Sequence, residues 1–154
     1  MSSVKRNPAK KPQRKSSLKH PFAAIEHRVI DSPAFADIRP SSVRLLLILA
    51  RQLTIPANNG HLQATWSYSR VRGFGSENTL REAIYDLIGH GLICRTRDRG
   101  PNKAWARYAV TWLPVKNETN IFTDGFQLDA WKLWKKSTPK KLLDVSSNFH
   151  GSLP

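Results

Sequence analysis

The stretch that decides the fold runs Gly73-Phe74-Gly75-Ser76-Glu77-Asn78-Thr79-Leu80-Arg81-Glu82-Ala83-Ile84-Tyr85-Asp86-Leu87-Ile88-Gly89-His90-Gly91-Leu92-Ile93. Two glycines break the chain, and Ser76 behind them is a favoured N-cap residue. Leu80, Ala83, Ile84, Leu87 and Ile88 then recur at i, i+3, i+4, i+7 and i+8, the period of an amphipathic helix. The spacing predicts a helix over Glu77–His90, with Asn78, Thr79, Arg81, Glu82, Tyr85 and Asp86 on its far side. Gly91 supplies the stop.

Upstream, Pro40-Ser41-Ser42 opens a second helix, in which Val43 to Leu53 is apolar except for Arg44, Arg51 and Gln52. Leu46, Leu47, Ala50 and Leu53 share one face, widened by Leu45, Ile48 and Leu49, so this helix is expected at the centre of the fold. Arg44 and Arg51 read as its solvated edge. Asn58-Asn59-Gly60 turns the chain into a short strand, His61–Thr65, with Leu62 and Ala64 on one side. Thr65 can cap a helix from Trp66 to Arg72, with Tyr68 and Val71 facing inward. An irregular lead-in precedes all this, with one turn of helix at Ser32–Asp37 opened by Ser32 and Pro33.

Downstream, Leu92–Arg97 and Trp105–Trp112 read as two strands of a hairpin around the basic loop Asp98–Lys103. Alternation puts Ala106, Tyr108, Val110 and Trp112 on one face, and Trp105, Arg107, Ala109 and Thr111 on the other. Trp105 then either lies under a tail or stacks on a base. Cys94 reads as a small half-buried strand residue.

A short helix, a tight glycine turn and an amphipathic second helix are the elements of a helix-turn-helix. In that motif the second helix enters the DNA major groove with its N-terminal residues near the base edges. Ser76, Asn78, Thr79 and Arg81 stand at that end, with Tyr85 one turn on. Asn can pair bidentately with adenine, and Arg with guanine. Arg95, Arg97, Arg99, Lys103 and Arg107 surround the tip of the hairpin, where Arg side chains can reach phosphates or a narrow minor groove. Glu82 and Asp86 cut against this reading, because carboxylates repel phosphates; they are expected to pair with Arg81 or Arg72.

Gly73-Phe74-Gly75-Ser76-Glu77-Asn78-Thr79-Leu80, Leu87-Ile88-Gly89-His90-Gly91-Leu92-Ile93 and Tyr108-Ala109-Val110-Thr111-Trp112 together resemble the bacterial winged helix-turn-helix families. They match the turn, the exit into the wing, and the second wing strand, and the resemblance covers residues 41–114. It implies an α+β fold, with a three-helix core and a small antiparallel sheet carrying a wing. More narrowly, the pattern resembles small proteins of proteobacterial phages, plasmids and integrative elements. A transcriptional regulator that binds double-stranded DNA is the first expectation. A replication or maintenance protein of a mobile element, and a protein-interaction module on the same scaffold, are the alternatives.

Charge agrees with a polyanionic partner. In 154 residues, Lys plus Arg is 25 and Asp plus Glu is 11, a net charge of +14. Residues 1–20 hold seven of those cations, Lys10, Lys11, Arg14 and Lys15 among them, and no acid. This segment is too poor in apolar side chains to offset its ordering entropy and is expected to be a disordered basic arm. It either solubilises the protein or finds phosphates. The remaining division is a DNA-binding domain over 21–114 and an extension over 115–154. In the extension, Phe126–Lys136 is expected to be helical. Its Trp131 and Trp134 would dock on the domain, pair two chains as a homodimer, or touch a membrane surface.

Other classes find little support. No apolar run approaches the roughly 18–20 residues of a membrane span, and no secretory leader is visible. A single cysteine points to a reducing cytoplasm. His20, His27, His61, His90 and His150 lack ligand spacing, so neither metal nor cofactor is expected. No nucleophile motif or Walker-type glycine loop is present, and an enzyme is not expected.

Overall fold

In a computed structural model of the chain, the described residues are 20–54, 57–102, 104–116 and 121–137. The arm cations Lys10, Lys11, Arg14 and Lys15 lie outside them, as do Lys103 and residues 138–154.

Two short helices, α1 (His27–Ile30) and α2 (Pro33–Asp37), lead in. The second starts as its sequence dictates. Pro33 fills the first turn, where its missing N–H costs nothing, and Ser32 Oγ accepts from the Phe35 N–H at 3.1 Å. Helix α3 spans Pro40–Gln52. Its inner face is Ser42, Leu45, Leu46, Ile48, Leu49 and Ala50, all buried, whereas Leu47 is 50% exposed. The expected face was therefore rotated: the stripe that meets the core begins at Ser42, which puts Leu47 on the outside.

After the turn at Asn58–Gly60 comes β1 (Leu62–Gln63), shorter than expected, with Leu62 and Ala64 both buried. Asn59 explains why this turn is fixed. Its buried carboxamide accepts from the Val110 N–H and donates to the carbonyls of Val110 and Leu113, each at 2.9 Å. Thr65 caps α4 (Trp66–Arg70) by accepting from Tyr68. The helix stops at Arg70, so Val71 falls beyond it and is 71% exposed rather than inward-facing. Ser69 takes the buried place.

Helix α5 (Glu77–Gly89) follows the predicted period: Leu80, Ala83, Ile84 and Leu87 are buried against α3. Its end is a two-bond closure around left-handed Gly91 (φ 70°). The Leu92 N–H donates to Leu87 O, and the Gly91 N–H to Ile88 O, both at 3.0 Å. The hairpin is β2 (Ile93–Arg97) and β3 (Arg107–Val110), antiparallel, with Arg95 opposite Tyr108 and an irregularity before Arg97. Strand β1 adds to the other side of β3, giving the order β1-β3-β2.

The expected helix over Phe126–Lys136 is absent; only a 3₁₀ turn forms, Ala130–Leu133. The backbone closes only short turns here, with Ala130, Lys132 and Trp134 donating to carbonyls three residues back, and the Asp129 donor is drawn outward. Asp129 takes a left-handed conformation (φ 58°), and its N–H donates to Thr111 O at 2.7 Å. The Phe122 N–H likewise donates to Thr96 O at 2.6 Å. This strap joins Trp131, 7% exposed, to the domain's own core and stacks Trp134 on His90 with ring centroids 4.7 Å apart. Both tryptophans thus pack on the domain of their own chain.

The architecture is α+β, with helices against a small open antiparallel sheet, and is compatible with a winged-helix fold. Among the described residues, no helix is long and apolar enough to cross a membrane.

Candidate nucleic-acid interface

Helix α5 is held at its start by side chains that the sequence offered as base readers. Ser76 Oγ accepts from the Thr79 N–H at 3.1 Å and lies 2.9 Å from Thr79 Oγ1. Asn78 donates to Glu82 at 3.1 Å. Arg81 and Tyr85, the latter 59% exposed, stand on the same outer face as exposed Glu77, Asn78 and Glu82. Arg81 makes no hydrogen bond or ion pair among the described residues.

Glu82 and Asp86 pair elsewhere than with Arg81 or Arg72. Glu82 meets Arg39 at 3.1 Å. Asp86 accepts from the Arg39 backbone N–H at 2.9 Å and from Ser42 Oγ at 2.5 Å. It thereby caps the N-terminus of α3, where Arg39 provides no side-chain cap of its own. Glu82 is locally neutralised, and Asp86 turns toward α3 rather than outward. Arg72 instead donates to Tyr68 O at 2.7 Å and lies 3.6 Å over the Tyr68 ring.

Arg44, expected at a solvated edge, instead donates to Gly73 O at 2.7 Å. It thus holds the turn between α4 and α5, where Gly73 adopts φ 97° and a Cβ would collide with the guanidinium. Arg51 similarly reaches the Tyr68 hydroxyl at 3.3 Å. Neither role carries a local signal, because each partner lies on another element.

The wing cations divide into two sets. Arg97 and Arg107 sit opposite each other across the strands. Arg97 donates to Trp105 O at 3.0 Å and Arg107 to His61 Nδ1. The Nε atoms of both are buried without a hydrogen-bond partner. Burial, and then the neighbouring Arg97, push the Arg107 guanidinium below its ordinary value. Arg95 and Arg99 are the exposed pair. Arg95 lies 3.4 Å from Asp98 and 5.8 Å from the Tyr108 ring centroid. Arg99 has no polar partner among the described residues.

These exposed cations converge. A groove of about 640 Å³ runs between α5 and the wing. Arg81, Tyr85 and Glu77 form one wall; Arg95, Arg99 and Trp105 form the other; Trp66 and Tyr108 lie along its length. Three guanidinium groups face one carboxylate there, so the groove favours an anion. Cys94, on β2, is half-buried with its Sγ near Gly125 O, and burial pushes its thiol up, away from the reactive thiolate.

No protein-family model, no curated protein and no solved structure matches the chain.

Proposed function

We propose that the chain is a double-stranded DNA-binding protein of the winged helix-turn-helix kind, acting as a transcriptional regulator. Helix α5 would enter the major groove, and the β2–β3 wing would hold the flanking backbone or minor groove. The observation that carries this reading is the convergence of unpaired Arg81 on α5 with exposed Arg95 and Arg99 on the wing. A helix and a ribbon that present cations to one side have the form needed to grip a duplex, and the pairing of Glu82 and Asp86 with neighbouring elements removes the repulsion that would oppose it. Of the five candidate readers, Arg81 and Tyr85 are available without rearrangement. Asn78 becomes a reader once it leaves Glu82, while Ser76 and Thr79 serve the cap.

Selection of bound duplexes from a random pool at two salt concentrations tests the proposal. The expected result is an enriched motif. Arg81→Ala should relax preference at one position by about 1–3 kcal/mol, whereas Arg99→Ala weakens all sequences alike. If both variants bind every duplex as the unmodified protein does, the reading fails.

A further inference from the structure

The groove between α5 and the wing carries more than charge. Trp105 is 46% exposed and Tyr85 59% exposed, on opposite walls, and Trp66 lines the same space half-buried. None of these rings stacks on another: among the described residues the stacked ring pair is His90–Trp134. Arg81 and Arg99, one on each wall, have no polar partner among the described residues. The groove thus holds unspent ring faces beside unspent guanidinium groups, in a volume within the range of about 300–1,000 Å³ found for small organic ligands.

A DNA duplex makes poor use of such a lining. Its bases are stacked on one another, and it shows a protein only their edges and its phosphates. Ring faces are rewarded when a base is unpaired and can lie flat on them, each such contact being worth a large factor in affinity. Guanidinium groups at the rim can then take the attached phosphate, and can themselves stack on a base.

We infer that the α5–wing groove binds a nucleotide whose base is unpaired, stacking the base against Trp105 and Tyr85 and holding its phosphate with Arg81 and Arg99. This deepens the nucleic-acid reading above, because it uses the same groove and gives it a second kind of occupant. The nucleotide can come from a single DNA strand or from a free nucleotide in solution.

The test uses the full chain and measures binding of three probes in parallel: a labelled thymidine hexanucleotide, an abasic hexamer of the same charge, and thymidine monophosphate. A duplex of random sequence is titrated alongside. The thymidine hexamer should bind more tightly than the abasic one, and Trp105→Ala and Tyr85→Ala should each weaken it by roughly 5- to 150-fold. Leu133→Ala, at an exposed position on the strap, is the control and should change nothing. If the monophosphate also binds with the same sensitivity to Trp105, the source is a free nucleotide; if only the hexamer does, it is a strand. Equal binding of thymidine and abasic hexamers overturns the inference, as does thymidine binding indifferent to both aromatic substitutions. The duplex titration is judged separately. Duplex binding without base-dependent hexamer binding removes the groove's second occupant and leaves the DNA-binding proposal standing, and the converse result does the reverse.

Discussion

Asp86 does three things from one carboxylate, and two of them reach another element. It accepts from the Arg39 N–H and Ser42 Oγ at the start of α3, and it lies 3.3 Å from His90 Nδ1 one turn along its own helix. Its side chain is only 14% exposed, so these donors have little water to replace it. Asp86→Ala should therefore lower stability by about 1–2 kcal/mol, the range for a lost helix cap, as a shift in the urea midpoint. A cost near zero would mean that water caps α3 equally well. The type of residue at position 86 was visible in the sequence, but its use was not. Periodicity places Asp86 on the polar side of α5, and only the packing of α3 against α5 reveals which partner that side meets. Arg44 is the same case, since its target carbonyl lies 29 residues away at Gly73.

Local sequence governs the elements well where the signal is itself local. The caps at Ser32, Thr65 and Ser76 and the period of α5 are short-range features, and each forms as read. The strap failed for the complementary reason. Phe126–Lys136 has helical spacing, but the Asp129 N–H is claimed by Thr111 O and Trp131 by the core, and tertiary contacts override a propensity worth a few tenths of a kcal/mol per residue. Trp131→Ala should accordingly cost about 3–5 kcal/mol, against less than about 0.5 for exposed Leu133→Ala, both measured by denaturation. The strap is also tied to α5 through a titrating group. His90 contacts Asp37 at 2.9 Å and the Asp86 carbonyl at 2.8 Å under the Trp134 ring, and Lys136 meets Asp37 at 3.2 Å. Burial opposes the His90 charge, but Asp37 and Asp86 outweigh it and raise the imidazole above its ordinary value of about 6.5. A raised folded-state value stabilises fully below that ordinary value and is lost as pH rises through the folded one. The hydrogen bonds from His90 and then Lys136 hold Asp37 below its usual range, so the acid limit of the pair lies lower still. His90→Gln should thus cost more stability at pH 5.5 than at pH 8.5. Equal costs at the two values would show that the ion pair contributes nothing.

At the scale of the whole molecule, charge is distributed unevenly along the sequence. Residues 1–20 carry seven cations and no acid, half of the net +14, while α5 sets Arg81 against Glu77, Glu82 and Asp86. On the proposed function, sequence discrimination would fall to α5 and bulk attraction to the arm. Attraction of this kind follows counterion release: each cation that neutralises a phosphate adds about 0.9 to the slope of log affinity against log salt. Removing residues 1–20 should weaken binding to every duplex and flatten that slope by up to seven such contributions. The ratio of affinities between a selected site and a random one should stay unchanged, because the arm meets phosphates that all sequences share. Titrations of the full and truncated chains at several salt concentrations, each against a selected and a random duplex, separate the two quantities. An unchanged slope would make the arm a solubilising segment. A changed ratio would mean that the arm itself reads bases, and the division of labour between arm and helix would have to be redrawn.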